Sequence, residues 1–180
     1  MNNIRTYLLL FFSFLLGSCV THYFTQPLPI DAETVNVMPS PILGKWVSGE
    51  EEVIIDKTSW TLNTIDSTGA KTSKLEFVIP DSLVVKKWRK NHYFNIAEND
   101  GYWTLYLGYK HKNLFYVKGL GGQDTLTLKN VLQIVPDTIN KTQLFYSTPI
   151  SKRQLRKFAN KGGFCDTIMV FDLKNRTIVK

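Results

Sequence analysis

The side chains that could act as nucleophiles or metal ligands are few in this chain and widely spaced. Cysteine occurs at Cys19 and Cys165, and histidine at His22, His92 and His111. Metal centres usually draw such residues from short motifs, but the sequence contains no Cys-x-x-Cys, no His-Glu-x-x-His and no aspartate-rich calcium loop. We therefore expect neither a metal site nor a cofactor.

Sequence signatures of enzymes are also missing. There is no Gly-x-Ser-x-Gly elbow, and "GLGG" at residues 119–122 precedes a predicted strand, which indicates a turn rather than a phosphate-binding loop. The acidic run at residues 50–52 could bind a divalent cation, although adjacent acids in a turn are usually solvated. We expect a protein that is not an enzyme. The alternative, a hydrolase, would need carboxylates or a Ser-His pair that the fold brings together.

The first cysteine follows a short apolar segment that indicates an export signal. Arg5 precedes the run "YLLLFFSFLL" at residues 7–16, whose length is about half of the roughly 20 residues that span a bilayer. A positive start, a short apolar core and small residues at its end are typical of a secretory signal peptide. The ends of this segment do not suit a buried core helix, and its length does not suit a short anchor helix.

Leu16-Gly17-Ser18-Cys19 resembles the lipobox of bacterial lipoproteins. The resemblance implies cleavage between Ser18 and Cys19 and acylation of Cys19 with fatty acids such as palmitate. Each buried methylene contributes about 0.8 kcal/mol, so two or more acyl chains hold a protein stably on a membrane. Val20 stands where an aspartate would signal inner-membrane retention, which favours the outer membrane of a Gram-negative envelope, facing the periplasm.

The second cysteine is expected to have a structural role. Acylation of Cys19 would leave Cys165 without a partner for an intramolecular disulfide, although the compartment would permit one. Cys165 stands in "GGFCDTIMVF", directly before a predicted strand, where we expect a small buried side chain. A reactive or metal-binding thiol would need His or carboxylate neighbours at ligand spacing, and the sequence has none.

Charge is distributed unevenly along the chain. Residues 20–84 carry four lysines and nine acids, a net charge of −5, whereas residues 85–180 carry seventeen lysines or arginines and six acids, a net charge of +11. This asymmetry suggests an anionic partner, and beside a membrane that partner could be lipid head groups or lipopolysaccharide rather than nucleic acid. The alternative is that these charges only keep the surface solvated.

Composition and turn signals divide the chain into three parts. We predict a signal peptide at residues 1–18, the lipidated cysteine with a flexible proline-rich tether at residues 19–40, and one domain at residues 41–180. In the domain, short apolar runs alternate with Pro-Asp and Asp-Gly turns at intervals of 8–12 residues. They predict an all-β fold, a single meander barrel or sandwich of about 8–10 short strands.

One short helix near the C-terminus is predicted to interrupt the strands. Thr148-Pro149 indicates its start, Leu155 and Phe158 an apolar stripe, and Gly162 its end. Its basic face could contact an anionic surface, or could be solvated while the apolar stripe closes one end of a barrel. The candidate contacts are Lys152, Arg153, Arg156 and Lys157.

Gly44-Lys45-Trp46 is similar to the Gly-x-Trp motif at the first strand of lipocalins and of lipocalin-like bacterial lipoproteins. The resemblance implies a barrel that is closed at one end by the tryptophan and that holds a small apolar ligand. Aromatic side chains suit such a wall, and the candidates are Trp46, Tyr93, Trp103 and Tyr116. The alternatives are that Trp46 only fills a core, and that the protein is a structural or adaptor lipoprotein. Such an adaptor would dock on an envelope complex or an anionic lipid surface through its basic C-terminal half.

Replacing Cys19 with serine should release the protein from membranes, because the thiol that would carry the acyl chains is lost. Cell fractionation measures this release, and inhibition of the lipoprotein signal peptidase should leave the unprocessed chain. Continued membrane association of the Cys19→Ser variant would require a different anchor. Normal maturation under the inhibitor would contradict the lipobox interpretation.

Overall fold

The computed structural model describes residues 20–49, 51–66 and 69–179 and confirms the all-β fold class. Within these ranges, fourteen strands belong to one curled sheet that forms a half-barrel. The number exceeds the predicted 8–10 because the additional strands include segments of two to four residues, too short to carry a period-2 pattern. The strands are β1 (Thr21–Phe24), β2 (Glu33–Val35), β3 (Gly44–Ser48), β4 (Glu51–Ile55), β5 (Ser59–Ile65), β6 (Lys71–Val78), β7 (Leu83–Trp88), β8 (Asn91–Ala97), β9 (Trp103–His111), β10 (Leu114–Gly119), β11 (Thr138–Asn140), β12 (Gln143–Tyr146), β13 (Asp166–Asp172) and β14 (Thr177–Ile178).

Two antiparallel meanders make up most of the half-barrel. Strands β3 to β6 pair in chain order, and so do strands β7 to β10. Strand β10 continues through β13 and β14 to β3, which joins the two meanders along one side. Among the described residues, β6 does not pair with β7, so the barrel is open between these two strands.

The sheet divides at β9. Trp103, the first residue of β9, pairs with Phe24 of β1, whereas the second half of β9 pairs with β10. Strand β1 continues the sheet into β12 and β11. The pairs β1–β12 and β14–β3 are parallel, which a simple meander does not provide.

The predicted flexible tether is instead part of the fold, so that prediction is wrong for residues 21–40. Strand β1 pairs with β12 and β9, and β2 pairs with β7. The side chains of Phe24, Leu28 and Met38 in this segment are buried. The folded domain therefore includes residues 21–40 and does not begin at residue 41.

A side-chain amide holds the proline-rich part of this segment. The Oδ1 atom of Asn95 in β8 accepts a hydrogen bond from the N–H of Leu28 at 2.7 Å, and its Nδ2 donates to the carbonyl of Leu28 at 2.9 Å. Pro27 and Pro29 on either side have no N–H, so they could not continue a strand ladder. Asn95 thus satisfies both the N–H and the carbonyl of Leu28, the residue between the two prolines. Composition alone does not reveal this contact.

The helices differ in part from the predictions. Helix α1 (Asp124–Thr127) runs into a π-helical turn (Leu128–Leu132), although the alternation in "DTLTLKN" predicts a strand. Helix α2 (Lys152–Asn160) confirms the predicted C-terminal helix, but it begins after Ser151 rather than at Thr148-Pro149. Ser151 and Gln154 form a capping box, which satisfies two backbone N–H groups at the helix start.

The predicted signal peptide, its cleavage site at Ser18 and the predicted acylation site at Cys19 lie outside the described residues. In the part of the chain that is described, no helix has the length and apolar character needed to cross a bilayer.

Strands β8 and β9 carry buried or partly buried side chains on both faces. On the concave side they contribute to an inner core, and on the convex side to an outer core that β1, β12, α2 and the segment around Leu28 cover. Alternation along β8 explains this, because Tyr93 lies in the outer core and Phe94 in the inner core. The largest inner-core side chains are Trp46, Trp60, Phe94, Phe115 and Phe171, and the outer core includes Phe24, Leu28, Tyr93, Leu105, Tyr146, Leu155 and Phe158.

A chain that begins at Val20 should unfold cooperatively, whereas one that begins at Pro41 should not fold. The shorter chain lacks Phe24, Leu28 and Met38, and losing a buried side chain of this size costs about 2–5 kcal/mol. Three such losses are comparable with the whole stability of a domain, about 5–15 kcal/mol. Urea unfolding followed by far-UV circular dichroism compares the two chains. Equal transition midpoints would restore the tether interpretation.

Candidate functional site

An apolar cavity opens on the concave side of the half-barrel, between strands that face each other across it. Its walls come from β5 and β6 on one side and from β8, β9, β10 and β13 on the other. We call it the apolar cavity. It is lined by Trp60, Leu62, Leu75, Phe77, Phe94, Ile96, Tyr106, Val117, Ile168 and Met169.

The apolar cavity has a volume of about 210 Å³ and is open to solvent at one side. Leu75 is 51% exposed and Ile168 48% exposed, whereas Phe94 is fully buried. A dry cavity of about 150 Å³ can hold benzene, so this space suits one ring or a short alkyl chain. Large exposed side chains beside an apolar hollow are typical of a ligand groove.

Trp46 is fully buried in the inner core and does not line the apolar cavity. Its indole N–H donates to the carbonyl of Ile42 at 2.7 Å, and the guanidinium carbon of Arg176 lies 4.2 Å from the ring centroid. The same guanidinium donates to the carbonyl of Leu43 at 2.9 Å. Trp46 therefore has a packing role that ties the start of β3 to the turn before β14.

Gly44 is required by this arrangement. Its φ is +116°, a backbone conformation that side-chain-bearing residues rarely adopt. A Cβ atom at this position would lie 2.3 Å from Nη2 of Arg176. The spacing in Gly44-Lys45-Trp46 thus has a local physical reason, which is room for the guanidinium that covers the indole ring.

The other predicted aromatic ligand contacts do not line the apolar cavity either. Tyr93 lies in the outer core, and Tyr116 stacks on Tyr109, which packs against that core, with ring centroids 5.2 Å apart. Trp103 is partly buried in β9, on the same face as Leu105. The sequence shows which side chains share a face of a strand but not which face becomes concave.

The basic face of α2 forms one wall of a second depression. The turn between β7 and β8 forms the other wall, and the volume is about 410 Å³. We call it the basic cleft. It is lined by Trp88, Arg89, Arg153, Arg156, Lys157, Asn160 and Lys161.

The structure brings together three of the four predicted anion contacts, namely Arg153, Arg156 and Lys157. Lys152 is instead engaged by Asp31. Its backbone N–H donates to the Asp31 carboxylate at 2.6 Å, and its Nζ donates to the Asp31 carbonyl at 3.1 Å.

Cys165 lies at the entrance of β13, as predicted, but it is only partly buried. Its thiol donates to the buried carboxylate of Asp124 at 3.1 Å, and that oxygen also accepts the N–H of Gly121 at 2.8 Å. Burial, followed by the adjacent Asp124 carboxylate, raises the pKa of Cys165 to about 11. The thiol is therefore protonated at neutral pH, which makes it a poor nucleophile.

His22 falls within the predicted tether but is buried in β1. Its ring nitrogens lie 3.1 Å from the Tyr146 hydroxyl and 3.0 Å from the carbonyl of Gly121. Burial lowers the pKa of His22, which the hydrogen bond to Gly121 opposes only in part. The ring thus acts as a structural link between β1, β12 and the turn before α1.

The acidic run at residues 50–52 has a structural use for one of its members. The carboxylate of Glu52 is 1% exposed and contacts the ammonium groups of Lys45 and Lys71, with a further hydrogen bond from Asn63 at 3.0 Å. Because two ammonium groups already contact the Glu52 carboxylate, this carboxylate has little capacity to bind a divalent ion. Among the described residues, no group of three His, Cys, Asp or Glu side chains is placed to hold a metal.

Comparison with known proteins assigns no function to this arrangement. No family model matches the chain, and neither a curated protein nor a solved structure matches it.

Sequence reasoning missed most of the cavity wall, although period-2 alternation places Leu75 and Phe77 on one face of β6. The missing signal is the approach of β5 and β6 to β8, β9, β10 and β13 across the half-barrel, because contacts between strands that do not pair are a tertiary property.

The stability of the fold should depend on the ionisation of Glu52. Lys45, then Lys71, hold the pKa of Glu52 at about 2, below its ordinary value of 4.5. This contribution to stability is therefore complete above about pH 4.5 and is lost as the pH falls toward 2. We expect the urea midpoints of the native protein and of Glu52→Gln to differ most at neutral pH and to converge below pH 4. Midpoints that stay a constant distance apart from pH 2 to pH 6 would contradict this linkage.

Proposed function

We propose that the protein binds a small apolar ligand in the apolar cavity and has no enzymatic role. The observation that carries this proposal is the composition of the cavity wall, in which aliphatic and aromatic side chains surround a hollow that reaches solvent. Apolar surface of this kind gains free energy when a ligand removes it from water, about 25 cal/mol per Å². The resemblance of Gly44-Lys45-Trp46 to the lipocalin motif supports the same function.

The anchoring belongs to the same proposal. An acylated Cys19 would hold the domain at a Gram-negative envelope membrane, on the outer membrane and facing the periplasm. Since β1 starts at Thr21, a tether between the anchor and the sheet would be almost absent. The apolar cavity would then remain close to the bilayer surface, which is a source of apolar molecules.

The size of the apolar cavity limits the ligand. A volume of about 210 Å³ is below the roughly 300–1,000 Å³ of sites that enclose a drug-sized molecule. We therefore expect a ligand that is small, or one that inserts a single ring or chain end between Leu75 and Ile168. The wall supplies few polar groups, so we expect selection by shape more than by hydrogen bonding.

The experiment is a binding measurement on the chain that begins at Val20, which keeps every described strand. Native mass spectrometry after purification should detect a bound small molecule that is lost on unfolding. The neutral fluorescent probe N-phenyl-1-naphthylamine should bind the emptied protein saturably, and 1-octanol should displace it.

The matched variants are Leu75→Lys, at the mouth of the cavity, and Val47→Lys, on β3 outside it. These side chains are 51% and 43% exposed, so neither substitution places a charge in a core. Leu75→Lys should weaken probe binding at least tenfold, because the ligand would have to cover an ammonium group. Val47→Lys should leave binding unchanged. Equal affinities for both variants, or an absence of saturable binding, would overturn the proposal.

A further inference from the structure

The basic cleft is a concentration of positive charge without acidic partners. Five cationic side chains line it, from α2 and from the turn between β7 and β8. Helix α2 contains no acid, and neither does the hairpin from residue 83 to residue 97. Among the described residues, none of the five cations forms an ion pair, since the ion pairs there involve Lys45, Lys71 and Lys74.

The spacing of these charges is unfavourable for the helix itself. Arg153 and Arg156 are three residues apart, and Arg153 and Lys157 are four apart, so their side chains are neighbours on one face. Like charges at these spacings destabilise a helix. A bound anion would offset that repulsion. Anion binding is therefore the simplest role for a surface of this composition.

The indole ring of Trp88 contacts two of the guanidinium groups. The guanidinium carbon of Arg89 lies 5.1 Å from the indole centroid, and that of Arg156 lies 5.9 Å from it. One arginine comes from the hairpin and the other from α2, so the indole ring bridges the two walls of the cleft. Cation–π contact orients both side chains before any ligand arrives.

Two arginines oriented by one indole ring are suited to binding an oxyanion. The planar guanidinium fork donates two parallel hydrogen bonds to a phosphate or carboxylate, and several cations together favour a group of higher charge. The cleft volume of about 410 Å³ exceeds the size of one inorganic ion and leaves room for an organic part against Trp88. The chemistry therefore favours a phosphate ester with a small head group.

We propose that the basic cleft is a binding site for a phosphate ester, held by Arg89 and Arg156 and placed against Trp88. The site is independent of the apolar cavity, because it lies beside α2, which packs on the convex side of the sheet, and shares no lining residue with the cavity. A free phosphorylated metabolite and a phospholipid head group share this chemistry, and the experiment separates them.

The test uses the full chain in micelles of a nonionic detergent and follows tryptophan fluorescence and calorimetry. One arm adds glycerol 3-phosphate, and the other dopes the micelles with phosphatidylglycerol or, as the control lipid, phosphatidylcholine. The cleft variant is Arg89→Gln with Arg156→Gln. The charge-matched control is Lys110→Gln with Lys112→Gln, at exposed positions of the β9–β10 hairpin.

The expected result is saturable binding that the cleft variant weakens at least tenfold and the control variant leaves within twofold. Binding of free glycerol 3-phosphate would identify a soluble ligand. Binding to phosphatidylglycerol alone would identify a lipid head group. The Trp88→Phe variant should lose the fluorescence change while calorimetry still detects binding.

Three outcomes would overturn the proposal. The first is equal weakening in the cleft and control variants, which would indicate general charge attraction. The second is a fluorescence change that persists in Trp88→Phe, which would place the ligand elsewhere. The third is the absence of saturable binding of either probe by the native protein. The comparison of affinities requires that both double variants show the native circular dichroism spectrum.

Discussion

Burial of the central strands on both faces is the constraint on which the rest of this structure depends. Side chains alternate along a strand, so β8 presents Phe94 to the inner core and Tyr93 to the outer core. Crowding on the concave side leaves no room at Gly108, where a Cβ atom would lie 2.4 Å from the Phe94 ring. Both faces of this sheet therefore need a cover, and the remaining elements of the fold supply it.

The outer cover explains why the N-terminal segment and α2 are structural parts of the domain. Leu28 reaches the convex face because Asn95 satisfies both its N–H and its carbonyl, which flanking prolines would otherwise leave without strand partners. Leu155 and Phe158 of α2 bury an apolar stripe on the same face. Once that stripe is buried, the polar face of α2 must point outward, and the basic residues collect beside Trp88.

The inner face is covered less completely, because the apolar cavity on this side of the half-barrel reaches solvent. Trp46, Arg176 and Gly44 close the region around the start of β3. The two candidate sites thus arise from two different features of one sheet. Space left between facing strands produces the apolar cavity, and an amphipathic helix on the outside contributes to the basic cleft.

The sequence by itself determined the fold class, most of the longer strands and the C-terminal helix, since alternation and turn residues act over a few positions. It also placed Arg153, Arg156 and Lys157 on one face, because helical periodicity is local. Only the tertiary structure decided that residues 21–40 are part of the sheet and that Trp46 packs in a core. It also decided that Arg89 and Arg156 both contact the ring of Trp88. These outcomes depend on contacts between residues far apart in the chain, and on which face of each strand becomes concave, which local patterns do not encode.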